Sequence, residues 1–136
     1  MDDWDPAVTD GLAKEYKVIL FDNKGVAASK GITPNTIQGM ADDAIDFMKA
    51  LNLAKVNIMG FSMGGFVAQR IVLTEPSLIN KVILTGTGPK GAIGLANLPN
   101  IIAGTAGLSA EESFLKFGFT ESAQSIAAGK LSLIHI

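Results

Sequence analysis

Ser62 is the residue whose type and surroundings best fit a chemical role. It is the serine of Gly60-Phe61-Ser62-Met63-Gly64, an instance of the pattern G-x-S-x-G. The five residues before the pattern predict a short buried strand, and Gly64 to Glu75 predict a helix. A serine at such a turn has a strained backbone, so we expect a side chain at Gly60 or Gly64 to collide with it. The hydroxyl would lie beside the N–H groups that begin the helix, which predicts a nucleophile with oxyanion stabilisation.

Two further apolar runs predict a parallel sheet around this turn. Lys17–Phe21 and Lys81–Thr85 are short, continuous and rich in β-branched residues, as is typical of strands buried on both faces. Apolar residues from Ile37 to Leu51 recur at spacings of three and four, which predicts an amphipathic helix with Thr33 as its cap. The order β-α-β-α-β predicts an α/β fold, with a mostly parallel sheet flanked by helices.

The sequence after Thr85 is rich in Gly and Ala and predicts helices without further strands. Ser109-Ala110-Glu111-Glu112 resembles a capping box, which predicts a helix through Phe117, and Glu121 to Ala128 predict another. The twenty uncharged residues from Gly91 to Ala110 are long enough to span a membrane, but a proline and four glycines would break the helix. We therefore expect an apolar surface segment or lid and no membrane contact.

Composition argues against several classes of function. The chain has 136 residues, of which 48% are hydrophobic and 18% charged, and its formal net charge is -2. These values indicate a globular protein and give no reason to expect a nucleic-acid partner. There is no cysteine and one histidine, His135, so we predict no disulfide, no metal site and no cofactor. Acidic residues follow Met1 where a secretory signal would be basic, which indicates a cytoplasmic protein.

A second glycine pattern follows the apolar run that ends at Thr85. Gly86-Thr87-Gly88-Pro89-Lys90-Gly91 matches G-x-G-x-x-G, the pattern of dinucleotide-binding loops. Pro89 removes an N–H that a pyrophosphate would need, and helix-breaking residues follow where the crossover helix would begin. We therefore interpret this segment as a flexible exit from a strand.

Four segments together resemble the α/β-hydrolase superfamily. They are Trp4-Asp5-Pro6, Phe21 to Ser29, Met40-Ala41-Asp42-Asp43 and Gly60 to Gly65, in the family's order. The resemblance implies a partial α/β-hydrolase core over residues 1–90 and the start of a helical lid over residues 91–130. Residues 131–136 do not resemble the lid, and our hypothesis is that this tail is non-native.

The resemblance also implies a chemistry. Members of the superfamily mostly hydrolyse esters, amides, epoxides or carbon–carbon bonds, so Ser62 would be the nucleophile and the Met63 N–H one arm of the oxyanion hole. Asp22 matches an aspartate that usually has a structural role. Ala27 stands where many relatives have a second glycine, and this should matter little if the backbone needs no positive φ. The apolar segment after Gly91 suggests a small apolar substrate.

The superfamily's His-Gly oxyanion loop, catalytic acid and catalytic histidine have no counterpart in this sequence. A core of this type runs well past about 200 residues. We therefore expect the chain to be an internal fragment, with Met1 an internal methionine, and to be inactive or nearly so by itself. His135 is a poor candidate for the base, because a histidine at a chain end lacks neighbours that orient it.

Two functions remain open at this point. The first is a serine hydrolase that cleaves an ester or related acyl bond through an acyl-enzyme. The alternative is a non-catalytic binding or interaction module of the same fold. A serine between glycines favours the enzyme, because a binding module has no need of backbone strain at Ser62. We also expect poor solubility, because a truncated sheet exposes strand edges and apolar surface.

Overall fold

The structure of the chain is a computed structural model, which describes residues 4–134. Met1, His135 and the end of the tail lie outside the described residues, so the predictions made for them stay predictions. The chain folds into two compact units. Residues 22–92 form the first unit, and the described residues before and after that range form the second.

The first unit contains a parallel sheet of two strands and two long helices. Strand β1 (Val56–Phe61) pairs with β2 (Ile79–Thr85). Helix α2 (Ile37–Ala50) precedes β1, and the two strands are connected by α3 (Met63–Thr74) and a 3₁₀ turn (Pro76–Leu78). A parallel pair needs such a crossover, and α3 accordingly packs on both strands. The predicted α/β fold with a parallel sheet flanked by helices is confirmed.

The core of this unit lies where α2 and α3 meet. The apolar face of α2 points inward, as the spacing of three and four predicts. The buried cluster consists of Ala41, Ala44, Ile45, Met48, Val67, Ile71 and Leu78. At the far ends of the two helices, Lys49 Nζ donates to Glu75 Oε2 at 2.8 Å. This bond lowers the pKa of Glu75 and raises the pKa of Lys49.

The predicted strand at Lys17–Phe21 is wrong for the described structure, where this segment forms neither strand nor helix. Its apolar side chains are partly exposed, with Leu20 at 44%. A strand exists through hydrogen bonds to a neighbouring strand, and the described sheet consists of β1 and β2 alone. The prediction that β2 is buried is also wrong, since Ile83 and Leu84 are 47% and 45% exposed.

Helix α2 begins later than predicted, at Ile37 instead of directly after Thr33. Its cap is Thr36, whose hydroxyl oxygen accepts from the Gly39 N–H at 3.0 Å. The Thr33 hydroxyl lies close to Gly25 in the preceding loop. A Cβ added at Gly25 would be 2.7 Å from the Thr33 hydroxyl oxygen. Either threonine could cap a helix by type; in the structure Thr33 lies beside the preceding loop, and Thr36 makes the capping bond.

The loop before α2 forces Ala27 into a left-handed conformation, with φ 47°. Hydrogen bonds on both sides close this turn, from the Val26 N–H to the Asn23 oxygen and from the Ser29 N–H to the Val26 oxygen, both 2.9 Å. The condition under which alanine should matter little at this position, a backbone without positive φ, is therefore not met. An alanine with this φ is strained because its Cβ approaches the backbone, and a glycine would not be.

The second unit is helical. Its helices are α1 (Pro6–Ala13), α4 (Ile93–Ala96), α5 (Leu98–Ala103), α6 (Ala110–Gly118) and α7 (Ala123–Ile134). Neither α1 nor the two short helices α4 and α5 were predicted, whereas α6 begins where the capping box places it. The predicted helix from Glu121 to Ala128 is present as α7 but continues to Ile134, into the segment that the sequence sets apart as a tail.

The capping box of α6 is confirmed by both of its hydrogen bonds. The Ser109 hydroxyl oxygen accepts from the Glu112 N–H at 3.1 Å, and Glu112 Oε2 accepts from the Ser109 N–H at 2.9 Å. The backbone N–H of Ser109 holds the pKa of the Glu112 carboxyl below its ordinary value. Among the described residues, no helix is both long and apolar enough to cross a membrane.

Candidate active site at the strand-to-helix turn

Ser62 is the residue between β1 and α3. Its backbone has φ 51° and ψ -118°, a combination that costs a non-glycine residue about 1–3 kcal/mol. Two hydrogen bonds hold it: the Ser62 N–H donates to the Thr85 carbonyl oxygen, and the Ser62 carbonyl oxygen accepts from the Gly65 N–H, both at 3.0 Å. The residue is exposed. The strained strand-to-helix turn that the pattern predicts is present in the structure.

The glycines of the pattern have unequal roles. A Cβ at Gly60 would lie 2.7 Å from the Gly64 carbonyl carbon and 2.8 Å from the Gly65 nitrogen. Contacts this short require the first turn of α3 to move away from β1. At Gly64 an added Cβ would contact nothing within 4 Å outside its own helix and its chain neighbours. A side chain at Gly60 would therefore collide, but with the first turn of α3 and not with Ser62 as expected, and the collision expected at Gly64 is wrong because an added Cβ meets open space there.

The N-terminus of α3 supplies donors next to the serine. Met63 is the first residue of this helix, and Ser62 makes no side-chain hydrogen bond that would cap it. The first N–H groups of a helix have no acceptor within the helix, and the helix dipole adds partial positive charge there. The Met63 N–H is one of these groups. Such donors can stabilise negative charge on an oxygen that forms beside them.

Residues Gly86–Gly88, called the strand-exit segment, lie against the start of α3. A Cβ at Gly65 would lie 2.6 Å from the Thr87 Cβ, so Thr87 packs where Gly65 has no side chain. A Cβ at Gly86 would lie 2.6 Å from Phe61 Cε2, and the φ of Gly86 is 54°. The phenyl ring therefore lies over Gly86. These contacts place the second glycine pattern beside the candidate nucleophile, although it has no dinucleotide-binding context.

No described residue accepts from or donates to the Ser62 hydroxyl. His135, the histidine of the chain, lies outside the described residues. The carbonyl oxygen of Asp22 accepts from the Ser29 hydroxyl at 2.8 Å, which is a contact within the loop. Across residues 4–134, no three His, Asp or Glu side chains are grouped so that they could hold a metal ion.

Comparison with known proteins identifies the family. The model of the alpha/beta hydrolase fold matches residues 1–127. The chain belongs to the α/β-hydrolase fold family. A solved α/β-hydrolase fold protein from Chitinophaga pinensis is 39% identical and superposes with a TM-score of 0.90. That alignment covers 98% of this chain and 49% of the other. The resemblance noted from the four sequence segments is confirmed.

Curated relatives of this hydrolase-fold chain include two named enzymes. The 3-oxoadipate enol-lactonase 1 of Acinetobacter baylyi is 37% identical over 87 residues, which are 64% of this chain and 32% of that protein. The proline iminopeptidase PfmaB of Pestalotiopsis fici is 36% identical over 81 residues, 57% of this chain and 28% of that protein. The chain thus spans about a third of the length of these relatives and about half of the solved structure.

Three residues near the turn had no role assigned from the sequence. Gly65 and Thr87 contact each other, and Gln69 Nε2 donates to the carbonyl oxygens of Gly65 and Gly88 at 3.1 and 3.0 Å. A glycine following G-x-S-x-G suggests close packing, so Gly65 carried a usable signal. Gln69 and Thr87 gave none, because they are ordinary residue types whose partners are distant in the sequence.

Proposed function

We propose that Ser62 is the nucleophile of a serine hydrolase that cleaves an ester or related acyl bond. The observation that carries this proposal is the backbone of Ser62, with φ 51° and ψ -118° at an exposed turn between a strand and a helix N-terminus. A structural serine has no need of such strain. Membership of the α/β-hydrolase fold family supports the proposal, as do relatives named as a lactonase and an iminopeptidase.

In the proposed reaction the Ser62 Oγ forms a bond to the carbonyl carbon of the substrate while a base takes the hydroxyl proton. The carbonyl electron pair moves to oxygen, and the Met63 N–H stabilises the resulting oxyanion. When the carbonyl re-forms, the leaving group departs and takes a proton. Water then cleaves the acyl-enzyme and restores the Ser62 hydroxyl. The proposed substrate is a small, apolar acyl compound.

The described residues do not provide the base that this reaction needs. An isolated serine hydroxyl is a poor nucleophile at neutral pH, and loss of a triad member costs a serine protease about 10⁴- to 10⁶-fold in rate. We therefore propose that the 136-residue chain is inactive or nearly so by itself. The activity would belong to a protein that carries this segment together with an acid and a histidine.

A fluorophosphonate probe tests both parts of the proposal. We expect slow labelling of the chain, found by mass spectrometry at Ser62, abolished in Ser62→Ala and unchanged in the control Ser77→Ala. Added imidazole should accelerate the reaction at Ser62, because it supplies a general base. Equal labelling of Ser62 and Ser77 would contradict the assignment of Ser62 as the nucleophile. Rapid labelling without imidazole would instead show that a working base is present.

A non-catalytic binding module is the second candidate, and the unpartnered Ser62 hydroxyl is the observation that favours it. The same fold can hold ligands without turning them over. The two candidates differ in the imidazole experiment. A pure binding module predicts that imidazole accelerates labelling of Ser62 no more than labelling of Ser77, because its Ser62 would have no reactivity beyond that of an ordinary exposed serine.

A further inference from the structure

We propose that Gln69 is a positioning residue that fixes the strand-exit segment beside Ser62. The inference deepens the proposed function and rests on it, because a fixed strand-exit segment serves catalysis only if Ser62 is the nucleophile. Gln69 lies in the second turn of α3 and is half-buried. Its partners are the helix that begins at the turn and the segment that leaves β2.

The Gln69 carboxamide uses both of its N–H donors in this arrangement. One bond goes back along α3 to the Gly65 carbonyl oxygen at 3.1 Å, and the other crosses to the Gly88 carbonyl oxygen at 3.0 Å. The first bond orients the side chain, since Gly65 lies one turn earlier on the same helix face. The second bond then ties a residue 19 positions away to the helix.

The tied segment is a neighbour of Ser62. The Ser62 N–H donates to the oxygen of Thr85 at 3.0 Å, and Gly86 is the next residue. The Phe61 ring covers Gly86, and Thr87 fills the space above Gly65. The strand-exit segment is thus held at each of its residues, by an aromatic ring, by helix packing and by the Gln69 amide. Gln69 supplies the polar contact of this set.

A polar tether adds to this packing in a segment whose backbone is costly to hold in one conformation. Two of its three residues are glycines, which have the largest conformational freedom to lose. The Thr87 hydroxyl oxygen is buried and has no hydrogen-bond partner among the described residues, so it adds no tether. A net hydrogen bond is worth about 1 kcal/mol, or roughly fivefold in an opening equilibrium.

Because the chain has no cysteine, a thiol introduced at position 87 reports specifically on opening of the strand-exit segment. We would introduce Thr87→Cys and measure its reaction with a disulfide reagent, in the parent chain and with Gln69→Met, which keeps the shape of the side chain but removes both donors. The matched control is Gln124→Met, at an exposed position in α7. We expect labelling at least fivefold faster with Gln69→Met and unchanged with Gln124→Met.

A second thiol distinguishes opening of the strand-exit segment from unfolding of the whole unit. Ala44→Cys places a thiol in the core, where Ala44 is 2% exposed. If Gln69→Met accelerates both thiols equally, the residue stabilises the whole unit and the proposal is overturned. Equal labelling rates at position 87 in the two methionine variants would overturn it as well. The labelling of neither thiol depends on the reactivity of Ser62. Failure of the nucleophile proposal would therefore appear in the fluorophosphonate experiment, and failure of the Gln69 proposal in the thiol experiment.

The Gln69 amide itself provides a spectroscopic signature. In NMR spectra of the chain, we expect its two Nε2 protons to exchange with water more slowly than those of Gln124, because both are hydrogen bonded. If the Gln69 side chain only filled space, its amide protons would exchange with water without protection. Equal exchange of the Gln69 and Gln124 side-chain amides would therefore contradict the tether.

Discussion

Backbone strain is concentrated at two of the described residues. Ala27, Asn52 and Ser62 are the non-glycine residues with positive φ in the described part of the chain. Asn52 follows the end of α2, a position where asparagine commonly takes a left-handed conformation. Ala27 and Ser62 have no such explanation. At Ser62 the strain presents a hydroxyl, whereas at Ala27 it closes a turn and a glycine would serve better.

Ala27→Gly is expected to stabilise the chain. The φ of 47° disfavours alanine, and relief of this strain should raise the free energy of unfolding by about 0.5–1 kcal/mol. The measurement is a urea titration followed by circular dichroism. Ala28→Gly is the control, because its φ is not positive and the added chain entropy should only destabilise. Equal losses of stability in both variants would contradict the strain at Ala27.

The contact between β1 and α3 depends on one glycine more than on the other. Gly60→Ala should destabilise the chain by about 1–3 kcal/mol, because its Cβ overlaps the start of α3. Gly64→Ala should be neutral or stabilising by up to about 1 kcal/mol, since alanine favours a helix and meets open space. Urea midpoints of the two variants give the comparison. If Gly64→Ala lowers the free energy of unfolding as much as Gly60→Ala does, the packing described for the turn is incorrect.

The capping box makes helix α6 sensitive to acid. The pKa of Glu112 is lower in the folded state than in an unfolded chain, because its carboxylate accepts from the Ser109 N–H. The stabilisation is therefore present above the unfolded pKa and is lost as pH falls through the folded pKa. We expect backbone carbon chemical shifts of α6 to report fraying in acid. Glu112→Gln keeps the cap without a titrating group, so an unchanged pH profile in that variant would contradict this account.

Elements with local signals could be predicted from the sequence. β1, α3, β2 and α6 lie within two residues of their predicted bounds at both ends, because periodicity, glycines and a capping box encode them locally. Lys17–Phe21 has the composition of a strand, but composition does not supply a hydrogen-bonded neighbour. The Gln69 contact to Gly88 could not be predicted either, because it depends on the spatial approach of residues distant in the sequence.

At the scale of the whole molecule, exposed apolar side chains are the dominant feature. The described sheet has two strands, and Phe61, Ile83 and Leu84 on them are 60%, 47% and 45% exposed. Open strand edges with apolar side chains promote association.

The isolated chain should therefore self-associate. We expect light scattering coupled to size-exclusion chromatography to give a mass above 14.2 kDa that rises with concentration. Ile83→Lys should lower the apparent mass, because a charge on β2 opposes pairing of sheet edges. The control is Leu73→Lys, on the exposed surface of α3. A monomer at all concentrations, or equal effects of the two lysines, would contradict association through the sheet.

The most direct test of the central claim is the acidity of a thiol placed at the turn. Ser62→Cys can be alkylated over a range of pH, with Thr74→Cys at the other end of α3 as the matched control. We predict a thiol pKa below the ordinary value of about 8.5 at position 62, because the helix N-terminus stabilises the thiolate, and a pKa at or above that value at position 74. Equal pKa values at both positions would show that the turn does not favour negative charge at residue 62.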